Sequence, residues 1–226
     1  MISYVSRKHK MQFSHIPKSG CQSIRHFIIK INEDDPNMNI WFGDFSSKYI
    51  HNSTKTIEGF THYSFVRNPY TRLVSCYYNK VVGQHWNHFS RHFKNKYCGG
   101  RPSFEDFVRC LSHGKANADE HWMPQTYLIN NGQTNIFKIE DSDKINEEMV
   151  NKTTHSFFHF KPTDHMEERY DLQKYVGNID GLELGKMFLE KKQPLPINFY
   201  NKEILEIVYD LYECDFRNFE YSKELT

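Results

Sequence analysis

The segment Phe13–Ile24, FSHIPKSGCQSI, places Lys18, Ser19 and Ser23 around Gly20. A helix that begins at such a point turns its unpaired N–H groups and the positive end of its dipole outward, which makes an anion site. Gly20 lets the backbone come close and Lys18 supplies a mobile cation. Cys21 and Gln22 add backbone amides, and the Ser19 and Ser23 hydroxyls can add hydrogen bonds. A second segment, Phe65–Ser75 (FVRNPYTRLVS), puts Arg67 at a strand's end, where α/β proteins place ligand contacts. Ser75 lies about two helical turns further on, so both residues can reach one phosphate. The same residues also suit plainer roles: a strand–helix turn with a surface lysine, an Arg67–carboxylate pair, and a Ser75 packed on its helix. The loop is not a Walker A sequence, because Lys18 precedes the only glycine instead of following a second one.

The elements that must hold these residues read clearly. Met11–Ile16 alternates as a strand. A helix starts near Cys21–Ser23 with Ile24, Phe27, Ile28 and Ile31 on one face, and Asn32–Asn39 ends it. His62–Arg67 is a second strand. Asn68 caps the next helix, with Pro69 at its first position and Leu73, Val74, Tyr77 and Tyr78 as its apolar stripe. Ser103 and Asp106 form a variant capping box ahead of Phe104, Phe107, Val108 and Leu111. Asn135–Ile139 is a further strand, and Asn201 caps the last helix. Alternating strands and helices predict an α/β fold, a central and mainly parallel sheet flanked by helices.

A length of 226 residues suits one domain spanning the whole chain. With 29 basic against 28 acidic residues, no general surface for nucleic acid is expected. No apolar run is long enough to cross a membrane, and the N-terminus lacks the apolar centre of a secretory signal. Five scattered cysteines without CxxC spacing point to reduced thiols and a cytoplasmic protein, with a Golgi lumen location open had an anchor been removed. His85, His88, His92 and Cys98 offer zinc-ligand types, but the segment lacks helical patterning, so no metal is expected. Gly83–Gly100 reads instead as a loop rich in His and aromatic residues that could line an acceptor site.

Taken together, the two anion segments resemble those of sulfotransferases that use 3′-phosphoadenosine-5′-phosphosulfate. The first is similar to the family's 5′-phosphosulfate loop, and FVRNPYTRLVSCYY to the 3′-phosphate signature of its Golgi-type, carbohydrate-directed branch. His51-Asn-Ser-Thr-Lys, Glu120-His-Trp-Met-Pro-Gln125 and the ending Ile207–Tyr221 fit the same branch. The loop departs from the family pattern at Cys21 and Gln22, where small or hydroxyl residues are usual.

The resemblance implies a P-loop-like sulfotransferase fold and in-line attack by an acceptor hydroxyl on sulfur, with no metal. Lys18 would stabilise the leaving group; Ser19, Gly20, Cys21, Gln22 and Ser23 would hold the phosphosulfate, and Arg67 and Ser75 the 3′-phosphate. His51 is the first expectation for the base and His121 the second, with Glu58 and Glu120 behind them. His15 is expected to pack against or orient the loop. The implied acceptor is a glycan or a small hydroxyl-bearing molecule. A small-molecule kinase and a non-catalytic nucleotide- or glycan-binding module stay open beside this reading.

Overall fold

A computed structural model describes residues 2–32, 44–53, 55–83, 101–114, 119–129, 134–157, 169–170, 173–189 and 193–225. His85, His88, His92 and Cys98 lie outside these, so the zinc alternative and most of the Gly83–Gly100 loop are not described. The chain divides into two compact units, each built from two separate stretches: Met1–Arg67 with Gln125–Phe160, and Asn68–Pro124 with Lys161–Thr226. Elements are numbered in chain order across both.

The first unit holds β1 (Ser3–Ser6), β2 (Met11–Ser14), α1 (Cys21–Asn32), α2 (Asp44–Tyr49), β3 (Ile50–His51) and β4 (Thr61–Val66). β5 (Asn135–Lys138) and α5 (Ser142–Thr153) complete it, after helices of the second unit that fall between in sequence. The strands form one sheet in the order β3-β1-β2-β4-β5. β2 pairs in parallel with β4, and β4 with β5, whereas β1 runs antiparallel to both β2 and β3. Four strands therefore share one direction, and the mainly parallel α/β sheet expected from the sequence is present.

One face of the sheet is apolar because residues two apart share a face. Tyr4, Met11, Phe13, Tyr63 and Phe65 pack there with Ile24, Phe27, Ile28 and Ile31 of α1 and Ile145 and Met149 of α5. Phe13 stacks on Tyr63 with ring centroids 5.4 Å apart. Among the alternate residues, Ser3, Gln12, Ser14 and Ser64 are polar yet buried, and they bond one another. Gln12 Nε2 donates to Ser3 Oγ (2.9 Å), and the Ser14 and Ser64 hydroxyls share a 2.8 Å bond. β2 stops at Ser14, two residues short of the expected Ile16, because Ser14 pairs with Ser3, the first residue of β1. At the far end of α1, Asn32 Nδ2 donates back to the Ile28 carbonyl (2.7 Å), which closes the last turn.

The second unit holds α3 (Pro69–Tyr77), continued by a π-helical turn at Tyr78–Val82, then α4 (Phe104–Ser112), β6 (Arg169–Tyr170), α6 (Gly181–Leu189), β7 (Gln193–Pro194), α7 (Lys202–Leu211) and α8 (Glu213–Asn218). The caps are as expected: Asn68 accepts from Tyr70 N and Thr71 N, Ser103 from Asp106 N, and Asn201 from Ile204 N. The helix that Asn201 caps is not the last, since α8 follows Tyr212 directly. The core is mostly aromatic, built on Tyr70, Tyr77, Phe104, Phe107, Trp122 and Phe199. Its buried tyrosines bond backbone carbonyls: Tyr77 that of Pro102 (2.8 Å), Tyr200 that of Tyr70 (2.9 Å) and Tyr212 that of Trp122 (2.5 Å).

Candidate active site

After β2 the chain makes a turn from Ile16 to Ser19, closed by Ser19 N donating to Ile16 O (3.2 Å). Pro17 takes the second place and Lys18 the third, with φ 70°. That is the pattern of a type II turn, which favours glycine at its third place. A lysine held there costs on the order of 1 kcal/mol and persists only where its surroundings enforce it. Two contacts do so: Arg67 Nη1 donates to the Lys18 carbonyl (3.3 Å), and Ser19 Oγ bonds Gln125 Oε1 (2.8 Å). Gly20 follows with φ 87°, and its carbonyl accepts from Ile24 N (3.0 Å), so it is the residue that launches α1. A methyl group at Gly20 would meet only Ile139 at 3.8 Å. Backbone conformation, not space, requires glycine there. The first turn of α1, Cys21-Gln22-Ser23, is half-buried and carries no acidic side chain to offset the helix dipole.

Gln125 is fully buried, and its amide is fixed by three bonds. Its Oε1 accepts from Arg67 N (2.9 Å) and its Nε2 donates to Arg67 O (2.8 Å), which settles which end is oxygen. Ser19 must therefore be the donor in its bond to Oε1. Gln125 thus extends β4 by one peptide-like pairing and ties the loop to the strand end that carries Arg67.

Beside the loop, Cys21 Sγ lies 3.4 Å from His15 Nδ1, and Tyr4 Oη lies 2.6 Å from the same nitrogen. The thiol donates to the Ile16 carbonyl (3.0 Å), and Arg25 Nε donates to Tyr4 Oη (3.1 Å). Burial pushes the Cys21 thiol up, but the His15 imidazole, through charge and hydrogen bond, with Arg25 and Lys18 behind it, outweighs this and leaves the thiol below its ordinary range. His15 thus sits against Cys21, the loop's first helical residue.

His51 closes β3, opposite Ser3, which in turn lies opposite Ser14. It is at the same end of the sheet as the loop, two strands from β2, so its backbone is roughly 10 Å from that of Ser14. In the second unit, Ser75 sits half-buried in the second turn of α3. His121 makes a close pair with Asp119: its backbone N donates to Asp119 Oδ1 (2.8 Å), and its Nδ1 lies 2.6 Å from the same oxygen. A carboxylate only accepts, so the pair puts the imidazole proton on Nδ1 and the lone pair on Nε2.

Sequence reasoning missed Gln125 as a tie, Asp119, and Arg72. Arg72 is 2% exposed and donates from Nη1 to Met123 O (2.8 Å) and from Nη2 to Glu120 O (3.1 Å). Arg72 stands four residues before Cys76 on a helix that buries most of its circumference.

A family model described as the sulfotransferase family matches residues 3–222. The chain belongs to the sulfotransferase family. No curated protein and no solved structure gives a significant match. The family match spans both units, so the Lys18 loop, α3 and the Asp119–His121 pair all lie within sulfotransferase-family sequence. Membership supports sulfotransfer as the general chemistry and accords with a P-loop-like α/β fold. Among the described residues, no helix is long and apolar enough to cross a membrane, and no group of three or more potential metal ligands occurs.

Proposed function

We propose that this chain moves a sulfuryl group from 3′-phosphoadenosine-5′-phosphosulfate to an acceptor hydroxyl, with carbohydrate as the acceptor class. The observation that carries this reading is the turn at Ile16–Ser19, which gathers Lys18, the Arg67 guanidinium and the start of α1 around one point. Three sources of positive potential meet there, and the first turn of α1 adds no acidic side chain. In the proposed reaction the acceptor oxygen attacks sulfur, and the bond from sulfur to the bridging oxygen breaks. Lys18 stabilises the charge that grows on the departing oxygen. The backbone of Gly20, Cys21, Gln22 and Ser23 holds the 5′ end, and Arg67 and Ser75 hold the 3′-phosphate. A kinase reading is weaker, because the lysine stands in the turn before the glycine.

The acceptor proton needs a base, and the Asp119 contact favours His121 over His51. A carboxylate on Nδ1 orients the ring and supports the charge formed when Nε2 takes the proton. His51 remains the alternative, at the sheet end that carries the loop. Turnover by His121→Ala and His51→Ala, each with donor saturating, separates the two: the base variant loses kcat, while the other keeps it.

The donor is tested by thermal shift with adenosine 3′,5′-bisphosphate beside ATP and AMP. Ligands that bind the native state raise its apparent stability by mass action. The bisphosphate is expected to give the largest shift, and a preference for ATP would overturn the donor assignment.

A further inference from the structure

We infer that Ser19 and Gln125 form a positioning pair that sets Lys18 and Arg67 in register, with Ser19 acting through Gln125 and not by touching the donor. The inference rests on the donor reading above and refines it. A hydroxyl that grips a phosphate must give its proton to the ligand. The Ser19 proton is already given to Gln125 Oε1 (2.8 Å), and that oxygen cannot be exchanged for the nitrogen, because it also accepts from Arg67 N. Both side chains are buried, Ser19 at 1% exposure and Gln125 at 0%. Gln125 reaches two things a bisphosphate needs. Through Ser19 it holds the residue after Lys18, in a turn whose positive φ at Lys18 must be enforced. Through two bonds to the Arg67 backbone it fixes the root of the guanidinium, which itself bonds the Lys18 carbonyl. Loosening the Ser19–Gln125 bond should therefore disturb both ends of the ligand, although Ser19 belongs to the 5′ loop.

That consequence separates positioning from contact. Binding of adenosine 3′,5′-bisphosphate and of adenosine 3′-monophosphate to wild type and Ser19→Ala is measured by calorimetry, well below the melting temperature of both. Positioning predicts that Ser19→Ala weakens both ligands by a similar factor, roughly three- to tenfold. Loss confined to the bisphosphate would mean that Ser19 contacts the 5′-phosphate directly and would overturn the inference. Unchanged affinity for both, with only a lowered Tm, would reduce the pair to a purely structural role and also overturn it. Gln125→Met, where it folds, should lose at least as much as Ser19→Ala, because its two bonds to the Arg67 backbone go as well, and the double variant should lose no more than Gln125→Met alone. Failure of the wild-type protein to bind the bisphosphate would strike the donor reading itself, an outcome distinct from all of these.

Discussion

The two units pin their loops by different means. In the sheet unit, the loop that launches α1 is held by a few side-chain bonds, those of Gln125, Ser19 and Arg67, and it keeps a lysine in a backbone conformation better suited to glycine. In the helical unit, loop carbonyls are taken up by buried donors: Tyr77 and Tyr212 each bond one, and Arg72 bonds two. The first arrangement stores strain at a point of concentrated positive charge. The second spends its polar groups on holding backbone in place. Variants at the loop of the first unit should thus damage function more than stability, and variants at these buried donors of the second the reverse.

The largest expected effect is on chemistry. Lys18→Ala should reduce sulfuryl transfer by about 100- to 1,000-fold, as removal of a preorganised electrostatic group does. Its Tm should hardly move, because the side chain is only half-buried. A collapse in Tm instead would erase the contrast between the units. Next comes Arg72→Met, which keeps the bulk but strands two carbonyls; urea unfolding should report a loss of about 3 kcal/mol. Retained affinity for the bisphosphate in that variant would sharpen the contrast, whereas stability within error of wild type would break it.

A smaller effect is expected at Cys21. The folded chain holds its proton more weakly than an ordinary thiol, so the thiolate persists to lower pH. Iodoacetamide should alkylate Cys21 with a pH midpoint below that of a free thiol, and His15→Gln should move the midpoint up. The same sign makes folding favour the thiolate: this contribution to stability is present above the ordinary thiol pKa and fades as pH falls through the lowered one. A midpoint at or above the ordinary value would remove His15 as a charge partner. Smallest is Lys18→Gly, which relieves the positive φ and should raise stability by about 0.5–1 kcal/mol while transfer is lost. A drop in stability would mean that the turn carries no strain.

Local signals made α1, α3 and α4 legible: apolar residues at helical spacing, Asn68-Pro69, and Ser103 with Asp106. β1 was not, because its four residues include Ser3 and Ser6, which are buried by pairing and hydrogen bonds and not by apolarity. α5 escaped for a related reason: only Ile145, Met149 and Thr153 of its twelve residues are buried, too few to print a periodicity. In the site, Lys18, Gly20 and Arg67 stood out by type and spacing. Gln125 did not, since its partners are 106 and 58 residues away and no local pattern encodes such a bond. Arg72 was hidden because an arginine on a helix ordinarily reads as solvent-facing.

The division of each unit into two stretches bears on how the chain is made. β4 finishes at Val66, and its parallel partner β5 begins only at Asn135. During synthesis the growing sheet therefore waits, with one edge of β4 unpaired, for roughly 70 residues, which at about 5–20 residues per second is on the order of 4–14 s. Phe65 and Tyr63 lie on that waiting strand, and an unpaired apolar edge is a template for association with other chains. The nascent protein thus passes through an interval of aggregation risk that the finished fold does not reveal, and chaperone demand during expression should peak between the emergence of β4 and that of β5.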